Sequence, residues 1–163
     1  MRGILLSWTK RVKHPSEVLK KGDRVKAVVL AIEPDKRIKA FVQDTLGCGC
    51  PEEVFHSIDC RQNVRLNEKV LLSHMITIGN RLLIYVIHSR ESNMIQQHLG
   101  VIVSAGKKVR DEQGLNRLRL VVVTDDAEEK KSLIRKFKEL KDKDEKIHLH
   151  VIRKEENVIT AQD

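Results

Sequence analysis

The stretch R-L-R-L-V-V-V-T, residues 117–124, decides the fold. Its apolar residues are nearly continuous, which is typical of a strand that helices cover on both faces of a sheet. Asp125 and Asp126 follow and are good N-caps for a helix over residues 127–140. Residues 146–153 form a further strand pattern. Because strands joined through a helix are usually parallel neighbours, this stretch predicts an α/β domain.

Residues 68–78 and 81–89 are two β-rich runs on the N-terminal side of that stretch. Gly79 and Asn80 separate them, and such a pair predicts a tight hairpin. Residues 91–108 predict a helix that connects the hairpin to residues 117–124, although the β-branched run 101–103 is unfavourable for one.

Pro51 opens a predicted short helix over residues 51–58. The whole pattern predicts an α/β fold, with α+β as the alternative: a mixed sheet with helices in the order α-β-β-α-β-α-β, over residues 44–154. Residues 155–163 are predicted to be a tail.

Composition indicates a soluble protein of the cytoplasm. Hydrophobic residues make up 40% of the chain and charged residues 33%. The longest apolar runs fall far short of the roughly 20 residues of a membrane span, so we expect no membrane association. The chain turns polar and basic after Leu6, unlike a signal peptide. Three cysteines, two of them one residue apart, do not resemble a secreted disulfide framework.

Positive charge is concentrated at one end of the chain. Residues 1–43 contain 11 Lys and Arg against 4 Asp and Glu, a net charge of +7. The remaining 120 residues have a net charge of +1. This asymmetry indicates either an anionic partner for the first segment or a basic surface that serves only solubility.

The same segment has the pattern of a β-hairpin. Residues 24–32 read as one strand, residues 33–36 as the loop, and R-I-K-A-F-V-Q, residues 37–43, as the partner strand. Two strands alone are marginally stable in water, so the predicted hairpin needs a further surface to pack on.

Four short motifs in residues 6–43 occur in a familiar order: Ser7-Trp8, His14-Pro15-Ser16-Glu17, Gly22-Asp23 and Asp35-Lys36-Arg37-Ile38. In this order and spacing they resemble the second half of the ribosomal S-one-type RNA-binding domain, which has an OB fold. The resemblance covers about a quarter of the chain. It implies that residues 1–43 are a truncated OB-like segment with RNA, or the ribosome, as partner.

The strands that supply the base-stacking aromatic residues in that family have no counterpart here, and only Arg37 matches a family position that contacts RNA. The resemblance therefore implies binding to the phosphate backbone by positive charge. The expected contacts are Lys10, Arg11, Lys13, Lys26, Arg37 and Lys39.

The second candidate site is a cysteine cluster, formed by Cys48, Cys50 and Cys60 together with His56. Four such ligands could hold zinc or an iron–sulfur cluster. Cys50 could instead form a reversible disulfide with Cys48 or Cys60, or act as a lone thiolate favoured by the N-terminus of the helix at Pro51. Inert cysteines, with Cys60 buried as a small hydrophobic residue, are the remaining alternative.

Two polar pairs on the later strands are interpreted as surface. Arg117 and Arg119 share one strand face, which indicates an exposed face or a sheet edge, and His148 and His150 share a face of the last strand. The sequence thus predicts an RNA-binding or ribosome-associated protein, with a thiol-redox or metal-binding module as the alternative. It favours a binding role over an enzyme.

Overall fold

A computed structural model describes residues 34–90 and 93–159. The helices are α1 (Pro34–Ala40), α2 (Met94–Glu112) and α3 (Ala127–Glu139). A π-helical turn, Phe41–Thr45, continues α1, and 3₁₀ turns form at Glu52–His56 and Lys154–Glu156. The strands are β1 (Ile58–Arg65), β2 (Leu71–Ile78), β3 (Leu82–His88), β4 (Arg117–Val123) and β5 (Ile147–Ile152).

The five strands form one mixed sheet in the order β1-β2-β3-β4-β5. The first three strands are antiparallel, and β3, β4 and β5 are parallel. The α/β prediction is therefore confirmed, including the hairpin around Gly79 and the two crossover helices. Asp126 caps α3 as predicted, since its side chain accepts hydrogen bonds from the backbone N–H groups of Glu128 and Glu129.

The sheet has a hydrophobic core on each face. Helices α2 and α3 cover one face, where the buried residues include Leu83, Tyr85, Leu99, Ile102, Leu118, Leu120 and Leu133. Helix α1 and the π-helical turn contribute to the core on the other face, with Ile38, Phe41, Val42, Ile76, Ile84, Val121 and Val123. Because β4 is covered on both sides, its near-continuous apolar sequence is explained.

The prediction of a strand over residues 37–43 is wrong. Ile38, Phe41 and Val42 are spaced by three and four residues, which also fits a helix, and all three are buried against the sheet. Burial of this helical stripe outweighs the alternation of the sequence. The other predicted strand of that hairpin, residues 24–32, lies outside the described residues, and the OB-like fold of residues 1–43 stays a prediction.

Strand β1 was not predicted, so the sheet has one strand more than expected. Its sequence I-D-C-R-Q-N-V-R is mostly polar and exposed, because β1 is the edge strand among the described strands, where its partner is β2. The predicted tail, residues 155–163, is not free of the domain at residues 155–159, since Asn157 is buried. No helix in the described part of the chain is long and apolar enough to cross a membrane.

Candidate functional site

The cysteine loop follows the π-helical turn directly. The backbone N–H of Leu46 donates to the carbonyl of Phe41 and that of Cys48 to the carbonyl of Val42, both at 3.0 Å. Gly47 between them has φ +62°, a conformation that glycine adopts without steric cost. These contacts end the helical segment and turn the chain so that Cys48 and Cys50 pack at the margin of the core.

Cys48 and Cys50 form a disulfide in the structure. Of the thiol alternatives, this arrangement corresponds to the reversible pair of Cys48 and Cys50, with only Gly49 between the two half-cystines.

The chain beyond the disulfide is held against the β2–β3 turn. Gly79, with φ +54°, donates its N–H to the carbonyl of Ser57 at 2.7 Å. A Cβ at Gly79 would lie 3.0 Å from the carbonyl oxygen of Val54, so a larger residue would push this segment away. The glycine of the hairpin thus also positions the polypeptide that carries the cysteines.

The helix predicted over residues 51–58 is only the 3₁₀ turn Glu52–His56, and two acidic residues, Glu52 and Glu53, begin it. A turn this short has little dipole, and its acidic start opposes a negative charge on sulfur. The helix-dipole argument for a thiolate at Cys50 is therefore not supported.

Positive charge near the disulfide comes from arginines of the sheet instead. A cavity of about 380 Å³ borders the disulfide. The side chains that matter for its chemistry are Cys48, Cys50, Arg81, Asn116, Arg117 and Arg119. Arg81 precedes β3, whereas Arg117 and Arg119 lie on β4, whose first residue is paired with Leu82 of β3. The pairing of β3 with β4 thus brings three arginines to the lining of one cavity.

Arg119 is the buried member of this group, with only 8% of its surface exposed. Its Nη1 donates to the carbonyl of Leu46 at 3.1 Å and to Nε2 of His150 at 2.8 Å. Its Nε has no hydrogen-bond partner within the described residues. Burial, together with the charge of Arg117, lowers the pKa of Arg119. The expectation that Arg117 and Arg119 share an exposed face is wrong for Arg119, because the cysteine loop covers that position.

His150 is the neutral partner of Arg119. Since a guanidinium only donates, Nε2 of His150 must accept, and the ring proton lies on Nδ1. Burial, with the charges of Arg119 and His148, lowers the pKa of His150 to about 4. Burial also lowers the pKa of His148, with contributions from Arg119 and Arg117. Both histidines are half-buried, and His150 is the one that accepts a hydrogen bond from the arginine cluster.

The cavity arginines have no carboxylate partner among the residues that the structure describes. Among residues 34–90 and 93–159, Arg81, Arg117 and Arg119 form no ion pair with Asp or Glu. A buried cation without a counter-ion is costly, which makes this cavity a favourable place for an anion.

The other predicted metal or redox ligands lie elsewhere. Cys60 is on β1 and borders a different cavity, with Asp35 and His74. Desolvation of its thiol, then the charges of Asp59 and Asp35, raise the pKa of Cys60. His56 is exposed. In the described part of the chain, no three His, Cys, Asp or Glu side chains could hold a metal ion, so the zinc or iron–sulfur interpretation has no geometric support.

Two of the six predicted RNA contacts are described. Arg37 is half-buried on α1, and Lys39 pairs with Glu52 and lies 5.8 Å from the centre of the Phe55 ring. Lys10, Arg11, Lys13 and Lys26 lie outside the described residues.

Sequence reasoning identified the cysteine pair and singled out Arg117 and Arg119, but it did not place these arginines beside the cysteines and it missed Arg81. Arg81 carried no signal, since it lies in a hairpin with other polar residues. Arg119 could have been found, because it is a charged residue within an otherwise apolar buried strand, and buried charged side chains usually have a partner. Comparison with protein-family models, curated proteins and solved structures found no match for this chain. Function is therefore inferred from the residues of the cavity.

Proposed function

We propose that this protein carries out thiol–disulfide exchange through Cys48 and Cys50. The observation that supports this proposal is the disulfide between the two cysteines at the edge of a cavity lined by Arg81, Arg117 and Arg119. An intramolecular pair with a single intervening residue can open and close without rearranging the rest of the chain.

The arginines supply the electrostatics that exchange requires. The thiolate is the nucleophile in each step, and positive charges close to a sulfur favour thiolate over thiol. Burial of Arg119 strengthens this effect, because interactions between charges are less screened away from water. When the disulfide is reduced, the two sulfurs become candidate counter-ions for the guanidinium groups, which form no ion pair within the described residues.

A Cys60→Ser background isolates the pair for the experiment. Equilibration with mixtures of reduced and oxidised glutathione, followed by acid quenching and mass spectrometry, should show one reversible two-electron transition between dithiol and disulfide. At pH 7 the reduced pair should react with iodoacetamide about tenfold faster than the same protein unfolded in urea.

Cys50→Ser in the same background is the matched control and should form only mixed disulfides with glutathione. A wild-type pair that never closes in the redox buffers, or that is alkylated no faster than in urea, would contradict the proposed function.

RNA binding by the basic N-terminal segment is the second candidate. It is supported by the net charge of +7 over residues 1–43 and by the resemblance of residues 6–43 to an RNA-binding domain. The contacts would be to phosphates, without sequence preference. Because Lys39 is already paired with Glu52, it is the weakest of the proposed contacts.

Salt dependence tests this candidate directly. The affinity of the full chain for a single-stranded RNA oligonucleotide should fall linearly in a plot of log K against log salt concentration. Lys10→Gln combined with Lys13→Gln should reduce the slope, whereas Lys138→Gln, an exposed change on α3, should not. A slope near zero would eliminate phosphate binding.

A further inference from the structure

We infer that the partner of the Cys48–Cys50 pair is a small thiol or disulfide that carries negative charge, bound in the arginine-lined cavity. This inference rests on the proposed exchange function and specifies its substrate class.

The first argument is charge. Three arginines line the cavity together with Cys48 and Cys50, and none of the three forms an ion pair with a carboxylate in the described residues. While the disulfide is intact its sulfurs are uncharged. The cavity therefore has an excess of positive charge in the oxidised protein, which is the form that reacts with a reducing thiol. An anionic thiol supplies the missing counter-charge.

The second argument is the buried Arg119. It is more than nine-tenths buried, lines the cavity, and keeps an Nε without a partner among the described residues. Its Nη1 is held by two neutral acceptors, the carbonyl of Leu46 and the ring of His150. A guanidinium fixed in this way adds a positive charge to the cavity lining at a defined position, and such a charge favours an anionic ligand.

The third argument is size. A cavity of about 380 Å³ is within the range of small-molecule sites, and Pro51 and Val54 add an apolar side for a carbon chain. Asn116 adds an amide to the lining, and amides both donate and accept hydrogen bonds. These dimensions favour a small molecule over a folded protein as the partner.

The exchange balances with two equivalents of the small thiol. A thiolate attacks one protein sulfur, so a mixed disulfide forms, and the Cys48–Cys50 bond breaks with its electron pair leaving on the other cysteine. A second thiolate attacks the small-molecule sulfur of the mixed disulfide, and the cysteine that was attacked first leaves with the electron pair of that bond. The small thiol is oxidised to its disulfide, the protein disulfide is reduced, and the two protons of the thiols end on the two cysteines.

The experiment compares three reducing thiols of similar size and different charge: 3-mercaptopropionate, 2-mercaptoethanol and cysteamine. Rates of reduction of the Cys60→Ser protein are divided by the rate of each thiol with 2-hydroxyethyl disulfide, which removes differences in intrinsic reactivity. We expect the anionic thiol to be about tenfold faster than the neutral one, and the cationic thiol to be slower still, with the preference reduced at high salt.

Arg81→Gln combined with Arg117→Gln should bring the three normalised rates close together. Both positions are exposed, so the fold should tolerate the changes, and circular dichroism checks this. Arg135→Gln on α3 also removes an exposed arginine but lies outside the cavity lining, and it should retain the full preference.

Equal normalised rates for the three thiols on the unaltered cavity would overturn the charge selectivity while exchange itself remains. Loss of the preference in Arg135→Gln to the same extent as in the double variant would overturn the cavity as its cause. No reduction by any of the thiols would overturn the proposed function and this inference together.

Discussion

Two arginines are buried in the described part of this protein, and they are partnered in opposite ways. Arg110, on α2, is 4% exposed and pairs with Asp111 at 2.7 Å and with Asp144 at 2.5 Å. Both terminal nitrogens of Arg110 contact the carboxylate of Asp144, which fixes the end of α2 against the loop before β5. Arg119, on β4, is 8% exposed and contacts only a carbonyl and a neutral imidazole.

The contrast separates a structural cation from a cation that remains available. The charge of Arg110 is neutralised by Asp111 and Asp144, so it is not available to bind an anionic ligand. Arg119 contributes its charge to a cavity that also contains a disulfide and two further arginines. A buried charge that the fold leaves unpaired is therefore a stronger indication of a binding site than burial or charge alone.

Arg110→Met should have the largest effect on stability. The substitution keeps the aliphatic bulk but removes the ion pairs with two carboxylates, and we expect the free energy of unfolding in urea to fall by about 2–3 kcal/mol. This loss of stability is at the low end for buried ion pairs, because the carboxylates of Asp111 and Asp144 are more than a third exposed and are hydrated once Arg110 is removed. An unchanged midpoint would show that the pair contributes nothing.

The same variant should change the response to acid. Hydrogen bonds from Arg110 are the main reason why the pKa of Asp144 is lowered from 3.8 to about 2. A lowered carboxyl pKa stabilises the fold above pH 3.8, and this contribution disappears as the pH falls toward 2. Arg110→Met should lose less stability over this interval than wild type, and unfolding curves at several pH values measure it. An identical pH response would contradict the assignment.

His150→Gln should have an intermediate effect, visible mainly as a weaker pH dependence. Because the folded-state pKa of His150 is lowered from 6.5 to about 4, the unfolded chain binds more protons between these values. Its contribution to stability is complete above pH 6.5 and declines as the pH falls toward 4.

A shift of this size corresponds to at most about 3 kcal/mol, and because His150 is only half-buried we expect wild type to lose about 1–2 kcal/mol more than His150→Gln over that interval. Glutamine keeps an acceptor for Arg119 but does not titrate. The lowered pKa values of His88 and His148 leave part of the slope in the variant, with the same sign. Curves that coincide at every pH would show that His150 does not titrate differently on folding.

Arg119→Met should change stability least, by less than about 1 kcal/mol, because the lost hydrogen bonds are offset by removal of an unpaired buried charge. The alkylation of the reduced cysteine pair should nevertheless slow severalfold. Arg110→Met is the matched control and should leave alkylation unchanged in native conditions. If both variants destabilise the protein equally and neither affects the thiols, the distinction between the two arginines is wrong.

Much of the fold could be predicted because its strongest elements are local patterns. Residues 117–124, the helix cap at Asp126, and the hairpin around Gly79 each contain the signal for their own conformation. Strand β1 has no such signal, since an edge strand with few buried residues needs little apolar sequence. Residues 37–43 fit two periodicities, and only the sheet surface beneath them selects the helix.

The sequence by itself determined the α/β pattern, the basic N-terminal segment and the closeness of Cys48 to Cys50, since all three depend on residues near one another in the chain. Only the tertiary structure decided that Arg81, Arg117 and Arg119 would border the cysteines, that Cys60 would not, and that Arg110 rather than Arg119 would find carboxylates. The physical reason is that pairing of β3 with β4, and packing of the cysteine loop on β4, join segments up to 73 residues apart. Periodicity reports which face of an element is buried, but it does not report which distant residue will meet it there.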